Sequence, residues 1–215
     1  MAFYLTYNTL STMIPQYINR YDDNVIANVP TFIMLAQMRI ARDSKLLGLR
    51  RFYQGNLVVG VPLIVKPTRW LKTSTFVISI NEPFQTGYNT KVDLFNREYS
   101  YVESYWPDAT QTAQPEFYSD FEYNQWFISP TPDLAYPFSV SFYEIPVLID
   151  VNTQTNFLTD NLPDVLLFAC LMEASSYLKD VSLEQSWEQR YQRSLSSAQQ
   201  QNIAIQTDSM NKRGE

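Results

Sequence analysis

Histidine is missing from all 215 residues. That removes the commonest general base, the usual metal ligand, and any Ser-His-Asp or Cys-His arrangement. Cysteine occurs once, as Cys170, so no disulfide can form within one chain, which suits a reducing cytosol. Cys170 falls inside an apolar run and reads as a buried, inert thiol. The five glycines are too few and too scattered for a phosphate-cradling loop. A basic excess is also lacking: the formal net charge is −6 and the sequence pI about 4.7. Proteins that coat nucleic acid need the opposite sign. No apolar run approaches the roughly 20 residues of a membrane span, so no membrane partner is expected. The N-terminal MAFYLTYN has no basic segment followed by an apolar one, so no signal peptide is expected. Cofactors are expected to be none.

What is present begins with Pro163–Leu178, PDVLLFACLMEASSYL. Every residue from Val165 to Met172 is apolar, so that stretch has no solvated face and reads as a central core helix. Pro163 and Asp164 suit its first turn, and Asn161 suits an N-cap. A chain of this length fits one compact domain or a small domain with an inserted subdomain.

The rest of the chain is arranged around that helix. Thr9–Tyr21 has helical spacing, with Ser11 or Thr12 as cap and Pro15 in the first turn. Asp22-Asp23-Asn24 then reads as a loop. Pro30 opens a second helix, Thr31 to about Leu47. Arg39, Arg42 and Lys45, spaced by three, share a face, and Arg50 and Arg51 follow at once. These five cations read either as a solvated face or as a surface for an acidic neighbour, protein or DNA backbone. From Phe52 to Leu148 the period becomes two. Strands are expected at 57–59, 75–80, 124–129 and 138–142, in an inserted antiparallel β subdomain. The PTPDLAYP linker is too proline-rich for a strand.

Between Phe95 and Phe127 lie eleven aromatics, six acidic residues and a single basic one, Arg97. Base-stacking platforms need nearby cations, so the stretch reads as core plus a protein-contact surface, or as a sugar platform of Tyr101, Tyr105, Trp106 and Trp126. Glu116, Asp120 and Glu122 could pair for sugar hydrolysis, but they equally fit one solvated strand face. Ser182 and Gln185 form a candidate capping box, and Leu183, Trp187, Tyr191 and Leu195 make a docking stripe. From about Ser196 the chain turns polar and reads as an extended tail that orders on a partner.

The fold class is therefore α+β: a helical bundle, residues 1–51 and 150–198, with an inserted antiparallel β subdomain, residues 52–149, and an extended tail, residues 199–215. The order of segments resembles a known family. YINRYDD ends one helix, VPTFIMLAQMRIARDSKL opens the next, and FISPTP ends a strand. TNFLTDNLPDVLLFACLMEASSYLKD then precedes the Trp187/Tyr191 helix. This resembles the head-to-tail adaptor, or neck connector ring, family of tailed bacteriophages over about Leu5 to Leu195. The stretch from Asn81 to Pro115 departs from the family pattern, being longer and more aromatic. The resemblance implies a non-enzymatic structural protein of the virion neck, assembled in the host cytoplasm. It implies a ring of about twelve copies, with portal protein above and tail, nozzle or tail-terminator proteins below. Double-stranded DNA would pass through without sequence-specific binding. It also assigns Gln199, Ile203, Ile205, Met210, Lys212 and Arg213 to portal docking. Arg39, Arg42, Lys45, Arg50 and Arg51 become an inter-subunit or channel face, and Tyr101, Tyr105, Trp106 and Trp126 a tail-facing region. The alternatives are another phage neck or baseplate ring component, or a carbohydrate-binding module.

Overall fold

The computed structural model describes residues 5–81 and 89–211. In chain order the elements are α1 (Tyr7–Ile18), α2 (Asp23–Asp43), a 3-10 turn (Leu47–Leu49), β1 (Arg50–Asn56), β2 (Leu63–Val65), β3 (Trp70–Asn81) and β4 (Asn89–Asn96). There follow α3 (Tyr99–Tyr105), β5 (Thr112–Ala113), β6 (Phe117–Glu122), β7 (Gln125–Ser129), β8 (Thr131–Pro132) and β9 (Pro137–Glu144). The last are α4 (Phe157–Asn161), α5 (Pro163–Tyr177) and α6 (Val181–Asn211). The chain divides into two units, Met1–Leu49 with Ile145–Glu215, and Arg50–Glu144. The class is α+β. Among the described residues no helix is long and apolar enough to cross a membrane.

In the helical unit, α5 is the hub. Nine of its residues are buried: Val165 to Leu167, Ala169 to Met172, and Ala174 with Ser175. It packs against α1, α2, α4 and α6. Pro163 occupies its first turn, but Asn161 ends α4 and Leu162 takes the cap position. The first two helices begin earlier than their prolines suggest. Thr6 and Thr9 form a capping box ahead of α1, with Thr9 N–H on Thr6 Oγ1 at 3.2 Å and Thr6 N–H on Thr9 Oγ1 at 2.7 Å. Pro15 therefore lies inside the helix, buried. Asp22 precedes α2 as its N-cap residue and Pro30 sits inside it. Burial of Tyr7, Leu10, Val25 and Val29 rewards these longer helices against the lost hydrogen bond that each proline causes.

α6 is capped by Asp180, whose carboxylate accepts from Leu183 N–H at 3.1 Å and from the Ser182 hydroxyl at 2.8 Å. That replaces the expected Ser182/Gln185 box. Trp187, Tyr191, Leu195 and Ala198 form its buried stripe, while Leu183 stays exposed. The extended tail expected from residue 199 is not seen: the helix continues to Asn211. Gln, Ala and Ser cost little in a helix, and side chains anchor these turns. Gln199 donates to the Asp43 carbonyl at 3.3 Å. Asn202 accepts from Leu47 N–H at 2.9 Å and donates to the Lys45 carbonyl at 3.2 Å.

The β unit is a seven-stranded sheet, ordered β1-β9-β3-β4-β6-β7-β2, beside a two-stranded pair β5-β8. It is mixed rather than wholly antiparallel: β4 runs parallel to β6, and β5 to β8. The parallel step needs a crossover, and α3 lies within it. Alternation does mark the core, since Phe76 and Ile78 of β3 and Phe138, Val140 and Phe142 of β9 are buried, with Trp126 and Ile128 of β7. The strand expected at 57–59 is instead a turn after β1, where Gly60 adopts φ +73, a left-handed conformation that suits glycine. Thr131 and Pro132 of the proline-rich linker do pair as β8.

Candidate functional site

The five candidate cations are divided between the two units and are engaged to different degrees. Arg39 of α2 is half-buried. It donates to both carboxylate oxygens of Glu188 at 2.9 Å and to Asp43 at 3.3 Å, and it lies 4.9 Å from the Tyr191 ring centre. Two carboxylates and a ring make Arg39 an internal clamp between α2 and α6. Arg42 is exposed on the same helix, and Lys45 is exposed just past its end. In the β unit, Arg50 donates to Ser141 Oγ at 3.0 Å. Arg51 pairs with Glu144 at 2.9 Å, a carboxylate shared with Arg69. Arg39 and Glu188 are 149 positions apart, and no local pattern announces such a pair.

The four candidate rings separate by burial. Tyr101 and Tyr105 are exposed on α3, and Trp106, just after it, donates its indole N–H to the Gln111 carbonyl at 3.0 Å. Trp126 is fully buried and donates to Thr73 Oγ1 at 2.8 Å. Its assignment to a surface platform is therefore corrected: it is core, since a large apolar ring with one satisfied N–H belongs inside. A sugar platform built on all four rings loses that member.

Two of the three carboxylates named for hydrolysis, Glu116 and Asp120, have structural partners. Glu116 accepts the Tyr105 hydroxyl at 3.1 Å, a bond that raises the pKa of that phenol. Asp120 pairs with Lys66 at 3.0 Å, and the Glu122 carbonyl accepts from the same ammonium at 2.9 Å. Lys66 is buried, 3.7 Å from the Trp70 ring centre. Sequence reasoning passed over it because a lone lysine beside a proline has no distinguishing pattern. Burial pushes the Cys170 thiol up, away from the reactive thiolate form.

Of the candidate docking tail, Gln199 is an anchor, and Ile203 and Ile205 are 58% and 57% exposed on α6. Met210 belongs to the last turn of the same helix, and Lys212 and Arg213 lie outside the described residues. Beside Ile205, a cavity of about 210 Å³ is lined by Leu46, Leu47, Gly48, Phe157 and Leu162. Phe157 presses so closely on Gly48 that a Cβ there would fall 1.9 Å from the ring.

The family model described as SU10 adaptor protein matches residues 5–213. No curated protein matches the chain. The match runs from the residue before the α1 cap to beyond the last described turn of α6, and so takes in both units. The chain belongs to the SU10 adaptor protein family, whose members are structural adaptor proteins of bacteriophage.

Proposed function

We propose that this chain is a head-to-tail adaptor that assembles as a closed ring of about twelve copies. The ring lies below the portal in the virion neck, continues the DNA channel, and gives the tail proteins a platform. The observation that carries this reading is the family match over residues 5–213. The net charge of −6 supports it, because an acidic channel lets double-stranded DNA slide without being held. The exposed Ile203 and Ile205 on the outer turns of α6 are the portal contact. Arg42 and Lys45 are the cations that meet a carboxylate-bearing neighbour. The aromatic surface around α3 faces the tail. Assembly takes place in the host cytoplasm.

Native mass measurement of the purified protein, alone and mixed with portal, tests the reading. A complex of about twelve times the 25.1 kDa subunit is expected, at least with portal present. A chain that stays monomeric in both samples overturns it. Ile203→Glu with Ile205→Glu retains the Asn202 bonds and is expected to abolish portal binding. Undiminished binding removes α6 from the portal contact.

A further inference from the structure

The β unit leaves a group of aromatic rings uncovered around α3 and the β4–β6 pair. Tyr101 and Tyr105 lie one turn apart with parallel rings, their centroids 6.4 Å apart and their planes 6° from coplanar. Phe117 of β6 meets both edge-on, at 5.8 and 5.0 Å. Its register partner on β4 is Phe95, which is 59% exposed. Core formation does not account for them, because Val102 is the residue by which α3 enters the interior. Clustered exposed rings of this kind mark a contact surface.

The charges around these rings specify what they contact. The Arg97 guanidinium already lies 5.8 Å from the ring centres of both Tyr101 and Phe117, so the faces accept a cation. Glu98 is the exposed N-cap residue of α3, three positions before Tyr101. Glu116 accepts the Tyr105 hydroxyl. Between residues 97 and 116 the exposed carboxylates are Glu98, Glu103, Asp108 and Glu116, against the single cation Arg97. A nucleic acid is repelled by such a surface, and a purely apolar partner has no use for the carboxylates.

We propose that this face docks an arginine-bearing segment of a partner protein, with the guanidinium over the Tyr101 and Tyr105 rings and its charge balanced by Glu98 and Glu116. Arginine suits the seat better than lysine, because its planar head stacks on rings while it bonds carboxylates. The inference rests on the adaptor reading only in taking the partner to be a tail protein.

Two short fluorescent peptides test it on the full chain, one alternating Arg and Gly and the other citrulline and Gly. Anisotropy titration at about 0.15 M salt is expected to show about ten-fold tighter binding of the arginine peptide. Tyr101→Ser with Tyr105→Ser, which leaves the net charge unchanged, is expected to weaken that binding about five-fold or more. Tyr21→Ser, at an exposed ring of the helical unit, is expected to change nothing. Equal binding of both peptides points to a neutral ligand, such as a sugar, and overturns the proposal. Wild-type affinity in the double variant, or an equal loss in Tyr21→Ser, overturns it as well. If circular dichroism shows that the serine variant is unfolded, Tyr101→Leu with Tyr105→Leu decides by the same criteria, since it keeps apolar bulk and removes the ring faces. The titration uses the isolated chain, so its result is independent of whether a ring forms on the portal.

Discussion

Tyr191 donates its hydroxyl to Asp43 Oδ2 at 2.9 Å, joining the middle of α6 to the last residue of α2. The same oxygen accepts from Arg39, and Arg39 reaches on to Glu188. One buried ring thus closes a three-charge network that holds the C-terminal helix on the bundle. Burial, with Asp43 adding in the same direction, raises the Tyr191 pKa and keeps the phenol a donor. Tyr191→Phe retains the ring and removes only the donor, so about 1 kcal/mol of stability is expected to go. Hydrogen exchange is expected to rise along α6. No change in urea midpoint or exchange means that Arg39 alone satisfies Asp43.

Asn202 is the next anchor along α6. Its side chain serves Leu47 N–H and the Lys45 carbonyl together, two backbone groups in the segment that leaves α2. Asn202→Ala is expected to cost about 1–2 kcal/mol and to expose the last turns of α6 to limited proteolysis. Asn202→Asp keeps the acceptor for Leu47 N–H and loses the donor to Lys45, so it is expected to fall between. If both variants resist protease like the wild type, these bonds do not hold the helix end.

How much of this was legible beforehand depended on how local the cause was. The α5 helix could be read because eight successive apolar residues leave no alternative. The buried stripe of α6, and the Phe76/Ile78 and Phe138/Val140/Phe142 alternations, could be read because each repeats at its own period. Pro30 misled in a physical way: proline suits a first turn, yet Val25 and Val29, upstream of it, gain enough by burial to start the helix at Asp23. The α6 continuation was obscured because its anchors bind a segment some 156 positions away. Trp126 and Tyr101 were indistinguishable as letters. Only the sheet decides that one faces Thr73 and the other water.

That difference can be measured. Trp126 stacks edge-on with Phe76 at 5.7 Å and donates to Thr73, so Trp126→Phe leaves a void and removes a donor. The expected cost is about 1–3 kcal/mol, read from urea unfolding, with loss of blue-shifted buried-indole fluorescence. Surface behaviour, meaning unchanged stability together with lost partner binding, contradicts the core assignment.

Glu173, on α5, gives a test by pH. Burial holds its carboxyl above the usual carboxylate range. Glu184 and Glu188 push the same way, while Arg39 and Arg42 oppose them. The folded chain therefore holds this proton more tightly than the unfolded chain does. The stabilisation it brings is present below the unfolded pKa of about 4.3 and is lost as pH rises through the higher folded value. At pH 7 the ionised group is a mild cost, which Glu173→Gln removes. Because the side chain is only half-buried, the gain is expected to be about 0.5 kcal/mol or less, and to vanish below about pH 4. Paired urea titrations at the two pH values give the sign. A variant weaker than wild type at pH 7 means that attraction to Arg39 outweighs desolvation, which reverses the order of causes argued for this carboxyl.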